Sequence, residues 1–427
     1  MRLGGRAQAA IEVLADLDAR PRPVGIALRD WGAAHRFAGS GDRSAIGNIV
    51  YDAFRSRSSF AGQMGSDDPR SLVLATLVVG WSFDIERLNE DWRDDRHAPD
   101  VVTAEEAQKL AAEPPMPDWD VANLPEWLWP MFEDSFEEEA LSEAHAFTQR
   151  PPVDLRVNAL KSARPKVLKA LKGSEPGLIS PLSIRFPPGT RFSRTPNVQN
   201  DAAYQKGWVE VQDEGSQIIA ALVDAKPGET ILDFCAGAGG KTLAMAADME
   251  NRGQIHAFDT DKARLAPIYD RLKRAGTRNV QVHAPPIESL KTLEGRCDRV
   301  LVDAPCSGSG TWRRRPDIKW RLTPEQLDAR IEEQARVLDD AKAFVRPGGY
   351  LCYVTCSVLP AENENQIERF LEENQDFALL SLGEVWEERF GADKPKPWSA
   401  DGCTVTLTPA STQTDGFFMA VMEKAAG

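Results

Sequence analysis

The chain has 427 residues, 42% hydrophobic and 27% charged, with a formal net charge of −14. That length allows two or three domains. With no apolar run of about 18 residues and no basic leader before an apolar core, the expectation is a cytoplasmic protein without a membrane span or signal peptide. The six cysteines, Cys235, Cys297, Cys306, Cys352, Cys356 and Cys403, all lie in the second half. They sit in or beside strand-like runs rather than in a spaced framework, which argues against disulfides and zinc.

Charge is unevenly spread. Residues 1–150 hold 15 basic and 27 acidic side chains. Residues 151–200 reverse this, with Arg156, Lys161, Arg164, Lys166, Lys169, Lys172, Arg185, Arg191 and Arg194 against only Asp154 and Glu175. Local sign outweighs net charge for a docked polyanion. A solvated surface would explain the same residues.

In chain order, Ala7–Leu17, Val24–Phe37, Asp42–Arg55, Ser71–Trp81 and Thr103–Ala112 carry apolar residues at helical spacing. Asp42 is a candidate N-cap, and Thr103 with Glu106 a candidate capping box. This is an all-helical domain over residues 1–125 without a catalytic constellation, and its tryptophans read as packing. The Pro-rich, acidic arm that follows leads into a helix over Trp127–His145, ended by Pro151-Pro152. A strand at Leu155–Asn158, a helix at Ala163–Leu171 and strands at Ile179–Phe186 and Trp208–Val211 make a small basic α+β module. It closes a second region over residues 126–210.

Residues 211–427 alternate strand and helix, which predicts a mostly parallel sheet covered by helices. The strands fall at Thr230–Phe234, Gln254–Asp259, Val280–His283, Arg299–Asp303 and Tyr350–Val354. Helices are expected over Lys241–Ala247, Asp261–Ala275 and Pro324–Phe344. Thr404–Thr408 and Phe417–Glu423 have no long helix between them, so an antiparallel pair is expected at the sheet edge.

The stretch Cys235-Ala236-Gly237-Ala238-Gly239-Gly240-Lys241-Thr242 joins the first of these strands to a helix. Such a turn offers close backbone approach and free N–H groups to a ligand. It fails the P-loop pattern because Cys235 occupies the first glycine position, and the dinucleotide pattern because Thr242 occupies the third. Asp259, about 20 residues on, has the spacing of a ribose-binding acid. S-adenosylmethionine on the same kind of sheet satisfies both features.

Asp303 and Cys306 follow one strand end and Cys356 another, and Arg313, Arg314 and Arg315 offer phosphate contacts. A buried pair of small hydrophobes is the bland reading of the cysteines. Their position at strand tips, among small and polar residues, favours chemistry. Two thiols, a carboxylate and a methyl donor together suit methylation of C5 of a pyrimidine. There a thiolate adds to C6, an acid meets N3, and a base removes the C5 proton.

The blocks DAPCSGSG (Asp303–Gly310), TCS (Thr355–Ser357) and LDFCAGAGGKT (Leu232–Thr242) resemble those of the RsmB (Sun)/NSUN family of RNA 5-methylcytosine methyltransferases. RVNALK (Arg156–Lys161), VQDEGSQ (Val211–Gln217), RRRPDIKWR (Arg313–Arg321) and DGFFMA (Asp415–Ala420) extend the resemblance over roughly residues 150–425. It implies a class I methyltransferase Rossmann-like sheet, with Cys356 the nucleophile on C6 and Cys306 the thiol that assists release. Asp303 would contact the cytosine edge and share in the cofactor site. Cys235, Ala236, Gly237, Ala238, Gly239, Gly240, Lys241 and Asp259 would bind S-adenosylmethionine. Lys241 would also reach towards the base, and Arg264 would lie near the adenosine.

Arg156, Asn158 and Lys161 join Arg313–Arg315 as expected RNA contacts. Family members often carry an acid after the third strand, near the adenine, where this chain has Ala284-Pro285-Pro286. The helical N-terminus, with AGSGDRSAIGNIVYDAFR (Ala38–Arg55), weakly resembles a NusB-like RNA-binding domain, although its acidity suits packing or partner docking equally well. The expected substrate is ribosomal RNA, then transfer RNA, for a monomer without metal. A DNA or protein methyltransferase with Cys306 as attacker, and a non-catalytic RNA-binding scaffold, are the alternatives.

Overall fold

The computed structural model describes residues 1–193, 196–399 and 402–427. Arg194, counted above among the basic residues, lies outside the described residues. The chain forms two compact units. Among the described residues, no helix is long and apolar enough to cross a membrane.

The first unit is helical and runs to Pro151, taking in a short stretch from Pro188 and the segment Trp312–Leu322. Its core is built by Val13 and Leu14, by Ile46 and Ile49, and by Leu72 and Val73, each from a helix with apolar residues at three-and-four spacing. Asp42 is not the cap of its helix. That helix begins at Ser40, and Asp42, one turn in, accepts the Gly39 N–H at 3.2 Å. The Thr103–Glu106 capping box forms as expected.

The helix expected over Trp127–His145 is broken. It runs as Trp129–Phe136 and Ala140–Thr148, interrupted at Glu137, whose φ is +48°. The break lets Phe132 and Phe147 pack around the fully buried Trp312 ring. Residues 129–148 therefore belong to the helical core rather than to the basic module.

The second unit contains two sheets. Strands β1 (Val153–Val157), β2 (Glu175–Pro176), β3 (Ser183–Phe186) and β4 (Val209–Val211) form the smaller one, in the order β2-β3-β1-β4 and all antiparallel. Behind it, Arg185 is clamped by Asp154 at 2.7 and 3.0 Å and by Glu214 at 3.2 Å, with all three side chains buried. Glu214 also accepts the N–H groups of Leu178, Ile179 and Ser180. A buried ion cluster survives only when every member is paired.

The larger sheet is made of β5 (Thr230–Asp233), β6 (Gln254–Phe258), β7 (Val280–His283), β8 (Cys297–Asp303), β9 (Val345–Thr355), β10 (Phe377–Leu379), β11 (Val405–Leu407) and β12 (Phe417–Lys424). Its order is β10-β12-β9-β8-β5-β6-β7, with β11 paired to β12. Strands β5 to β9 are parallel; β5, β6 and β8 are largely buried, as helices on either side require, while β7 at the edge is only partly buried. The class I methyltransferase sheet expected above is therefore present. One detail differs: β12 pairs antiparallel with β11 as expected, but it lies between β9 and β10 rather than at the edge. Six residues of β12 are buried, which fits a central strand.

Replacing Arg185 with Ala would remove the cation that Asp154 and Glu214 share. Urea unfolding should show a loss of roughly 3–5 kcal/mol. A loss below about 1 kcal/mol would mean the cluster is not a keystone of this unit.

Candidate active site

The parallel register of β8 and β9 sets Val302 beside Tyr353 and Asp303 beside Val354, so both strands end at the same level. Beyond those ends the Ala304 N–H reaches the Val354 carbonyl at 2.8 Å, and the Gly310 N–H reaches the Cys356 carbonyl at 2.9 Å. Gly310 in turn accepts the Gly416 N–H at 2.7 Å. A side chain at 310 would put Cβ 2.1 Å from the Gly416 oxygen, so only glycine allows this approach. The Ser309 and Ser357 hydroxyls join the same loops at 2.9 Å.

The result is that Cys306 and Cys356 lie with their sulfurs 3.2 Å apart, both half-buried and both free thiols. The Cys306 thiol is pushed well above its ordinary range, first by its hydrogen bond with Cys356, then by burial, then by like charge on Cys356. Cys297 and Cys352, inside strands, are pushed up to about 12 by burial and are inert packing. Cys235 is likewise raised, chiefly by burial, which leaves a neutral thiol at the glycine turn.

Lys241, buried near the start of the helix Gly240–Asp248, donates to Asp303 at 2.6 Å. Its ammonium also lies 5.3 Å from the Phe417 ring centre. Asp303 keeps a third of its side chain exposed, so it faces both a fixed cation and an incoming ligand. Asp233 at the end of β5 was not expected to matter. It accepts the Thr242 hydroxyl at 2.6 Å, while its other oxygen is buried without a partner. Burial pushes its carboxyl up to about 7.

The glycine turn is tight as expected, with Gly237 at φ +50° and Gly239 at φ +81°. A Cβ on Gly239 would meet Ile268 at 2.5 Å. Asp259, just past β6, accepts the N–H groups of Gly237 and Asp261 at 2.9 and 2.8 Å, which fixes its carboxylate and leaves lone pairs for a ligand. Arg264 stands 4.0 Å from Asp259 and is largely exposed. Ala236 and Ala238 contribute backbone to the turn, where the Ala238 carbonyl accepts Arg271 at 2.8 Å.

Next to them opens a cavity of about 360 Å³ lined by Cys235, Asp259, Arg264, Pro286, Ile287 and Val337, among others. A fixed acid beside apolar walls fits a sugar diol joined to a flat base. Where family members have an acid after the third strand, Pro285 and Pro286 form a wall, and Glu333 and Asp340 border the cavity from the helix Pro324–Ala341.

The expected RNA contacts are placed differently. Arg156 is buried, bonds Gln212 at 2.6 Å, and is lowered by burial to about 10. Asn158 is buried too, spanning the carbonyls of Gly207 and Ala275 at 2.9 Å each. Both are framework residues of the module. Lys161 is exposed but ties the Arg274 carbonyl at 2.6 Å. The exposed cations of this unit include Lys166 and Lys206, which lie 4.0 and 5.1 Å from the Trp208 ring centre. In the helical unit Arg313 is buried, with its carbonyl held by two Arg55 donors at 3.0 and 2.8 Å. Arg314 is half-buried, and Arg315 is exposed.

Sequence reasoning also passed over Glu362 and Asn363, both buried beside the cysteine loops. Their signal was two polar residues in a short turn after a candidate active-site loop.

Residues 220–423 match the family described as 16S rRNA methyltransferase RsmB/F. A probable ribosomal RNA small subunit methyltransferase B from Synechocystis sp. is 34% identical over 314 residues, covering 71% of this chain and 67% of that protein. The ribosomal RNA small subunit methyltransferase B of Cronobacter sakazakii is 34% identical over 301 residues, covering 70% and 66%. The chain thus spans about two thirds of the length of these relatives. Among solved structures, that of PH0851 is similar with a TM-score of 0.74 and 26% identity, covering 99% of this chain and 100% of that one.

The raised Asp233 carboxyl makes a stability prediction. Folded chain holds a proton that unfolded chain releases between its ordinary 3.8 and about 7, so stability falls as pH rises through that window. Asp233→Asn should remove the fall and be more stable than wild type by roughly 2–4 kcal/mol at about pH 8. Urea melts at about pH 5 and pH 8 check this, and an unchanged slope would contradict a neutral Asp233.

Proposed function

The chain belongs to the RsmB/F family of 16S rRNA methyltransferases, and on that footing we propose that it methylates C5 of a cytosine in small-subunit ribosomal RNA. In this reading the cofactor is S-adenosylmethionine and the intermediate is a covalent bond between Cys356 and C6. The observation that carries it is the 3.2 Å approach of two thiols beside the Lys241–Asp303 pair.

S-adenosylmethionine, when bound, supplies a methyl group on a positively charged sulfur. The backbone from Cys235 to Gly240 and the Asp259 carboxylate would hold it, with the apolar wall of the neighbouring cavity against its base. Carbon 5 of cytosine is a weak nucleophile. Addition of the Cys356 sulfur to C6 sends the C5–C6 π pair towards C5 and, through the ring, towards N3. The negative charge building at N3 needs a proton donor or cation, which the Lys241 ammonium, held by Asp303, would supply while the Asp303 carboxylate accepts from the cytosine edge. The target base must be unpaired or flipped to reach this depth. The exposed lysines beside Trp208 offer contacts to the flanking phosphates.

After methyl transfer, C5 holds both a methyl group and a proton. Loss of that proton returns its bonding pair to the C5–C6 double bond, and the C6–S bond breaks with its pair going back to Cys356. Cys306 is the base in this step. While Cys356 is not bonded to the base, its hydrogen bond with Cys306 is the leading cause of Cys306 staying neutral, and the charge of a Cys356 thiolate adds to it. Once Cys356 is a thioether both influences fade, and Cys306 can ionise and take the proton. The order of events is thereby built into the pair.

In cells lacking this protein, bisulfite sequencing of small-subunit ribosomal RNA should show the loss of one 5-methylcytosine. Wild type should restore it, and Cys356→Ala should restore less than about 1% of it. Full restoration by Cys356→Ala would remove Cys356 from the chemistry.

A further inference from the structure

Glu362, six residues beyond Cys356, is completely buried and forms no ion pair among the described residues. A carboxylate without a cation is unfavourable to bury unless hydrogen bonds satisfy it. Here they do, and they converge on one loop. Oε1 accepts the Ser307 N–H at 2.7 Å and the Gln334 side-chain amide at 3.0 Å, and Oε2 accepts the Ser307 hydroxyl at 2.5 Å. The same Gln334 amide donates to the Pro305 carbonyl at 3.0 Å. Pro305 and Ser307 are the two neighbours of Cys306.

The next residue does the same for the other thiol. Asn363 accepts the Thr355 hydroxyl at 2.6 Å and donates to the Ser357 carbonyl at 3.1 Å. Thr355 and Ser357 are the two neighbours of Cys356. The dipeptide thus bonds both flanks of Cys356 directly and the flanks of Cys306 at Ser307 directly and at Pro305 through Gln334, and the Tyr353 hydroxyl pins it by donating to the Glu362 carbonyl at 2.6 Å.

We infer that Glu362-Asn363 is a clamp that sets the spacing of the two sulfurs, with Glu362 the positioning residue for the thiol that releases product. This rests on the division of roles between Cys356 and Cys306 proposed above. Glu362 touches neither reacting carbon nor cofactor and acts through the Cys306 loop. Its charge also lies close enough to oppose ionisation of Cys306. Glutamine at 362 would keep the acceptor for Ser307 N–H and Gln334 and could donate to the Ser307 hydroxyl. Alanine would take this acceptor from the Ser307 N–H and hydroxyl and leave Gln334 only its bond to Pro305.

The test uses the full chain with S-adenosylmethionine and small-subunit ribosomal RNA from cells lacking the protein. Cofactor binding serves as the control for folding. Glu362→Ala should bind cofactor normally, form the RNA adduct, and release it roughly 10–100-fold more slowly, so that a denaturant-resistant band accumulates as it does for Cys306→Ala. Glu362→Gln should release at near the wild-type rate, with the pH dependence of release moved to lower pH because the charge opposing Cys306 ionisation is gone. If Glu362→Ala does not fold, the Glu362→Gln pH profile decides alone, and an unmoved profile overturns the inference. A band with Cys306→Ala but none with a folded Glu362→Ala overturns the clamp only. No band with Cys306→Ala overturns the division of roles, and the clamp with it.

Discussion

The hydrogen bond from the Gly310 N–H to the Cys356 carbonyl closes a distance that the strands alone leave open. Strands β8 and β9 stop at Asp303 and Thr355, and each cysteine lies past its strand end. Loops at strand tips ordinarily wander, and a pair of sulfurs on two such loops would sample many separations. Here Gly310 bonds to one loop and to Gly416, at a distance no side chain permits, and the two serine hydroxyls repeat the tie. Because β12 carries Phe417 and sits inside the sheet, the Gly416 anchor is set by the core rather than by a mobile edge.

Charge in the site is managed by pairing one acid and neutralising another. Lys241 is buried, and its partner Asp303 keeps it satisfied while remaining open to a ligand. Asp233, eight residues before Lys241 in sequence, is pushed up to about 7 by burial and accepts the Thr242 hydroxyl, while the Lys241 ammonium donates to Asp303. Asp259 is instead stabilised by backbone N–H groups and stays available to polar groups of a ligand. Three carboxylates thus sit in three different environments, and the strands place them at one end of the sheet.

Much of this was readable from residues alone, because apolar runs and glycine turns are local signals. Thr230–Asp233, Gln254–Phe258 and Val280–His283 are short stretches with apolar and β-branched residues bounded by turn residues, and the glycine pattern at 237–240 demands a close turn. The insertion of β12 between β9 and β10 was not readable, since alternation and length say nothing of which strand a partner is. The same holds for Arg156 and Arg313: a basic residue in a basic stretch looks exposed until Gln212 or Arg55 is known to lie against it. Glu362 hid for the converse reason. An acid in a polar turn looks solvated, and only the fold reveals that its partners flank Cys306. The break at Glu137 was hidden as well, because nothing local reveals that Trp312 must be enclosed.

The central claim is that Cys356, not Cys306, bonds to the base. Cys306→Ala should be incubated with S-adenosylmethionine and small-subunit ribosomal RNA, then digested with protease and nuclease and read by mass spectrometry. The account predicts a 5-methylcytidine adduct on the peptide that contains Cys356. An adduct on Cys306 in the converse variant, with none on Cys356, would reverse the roles and contradict the account.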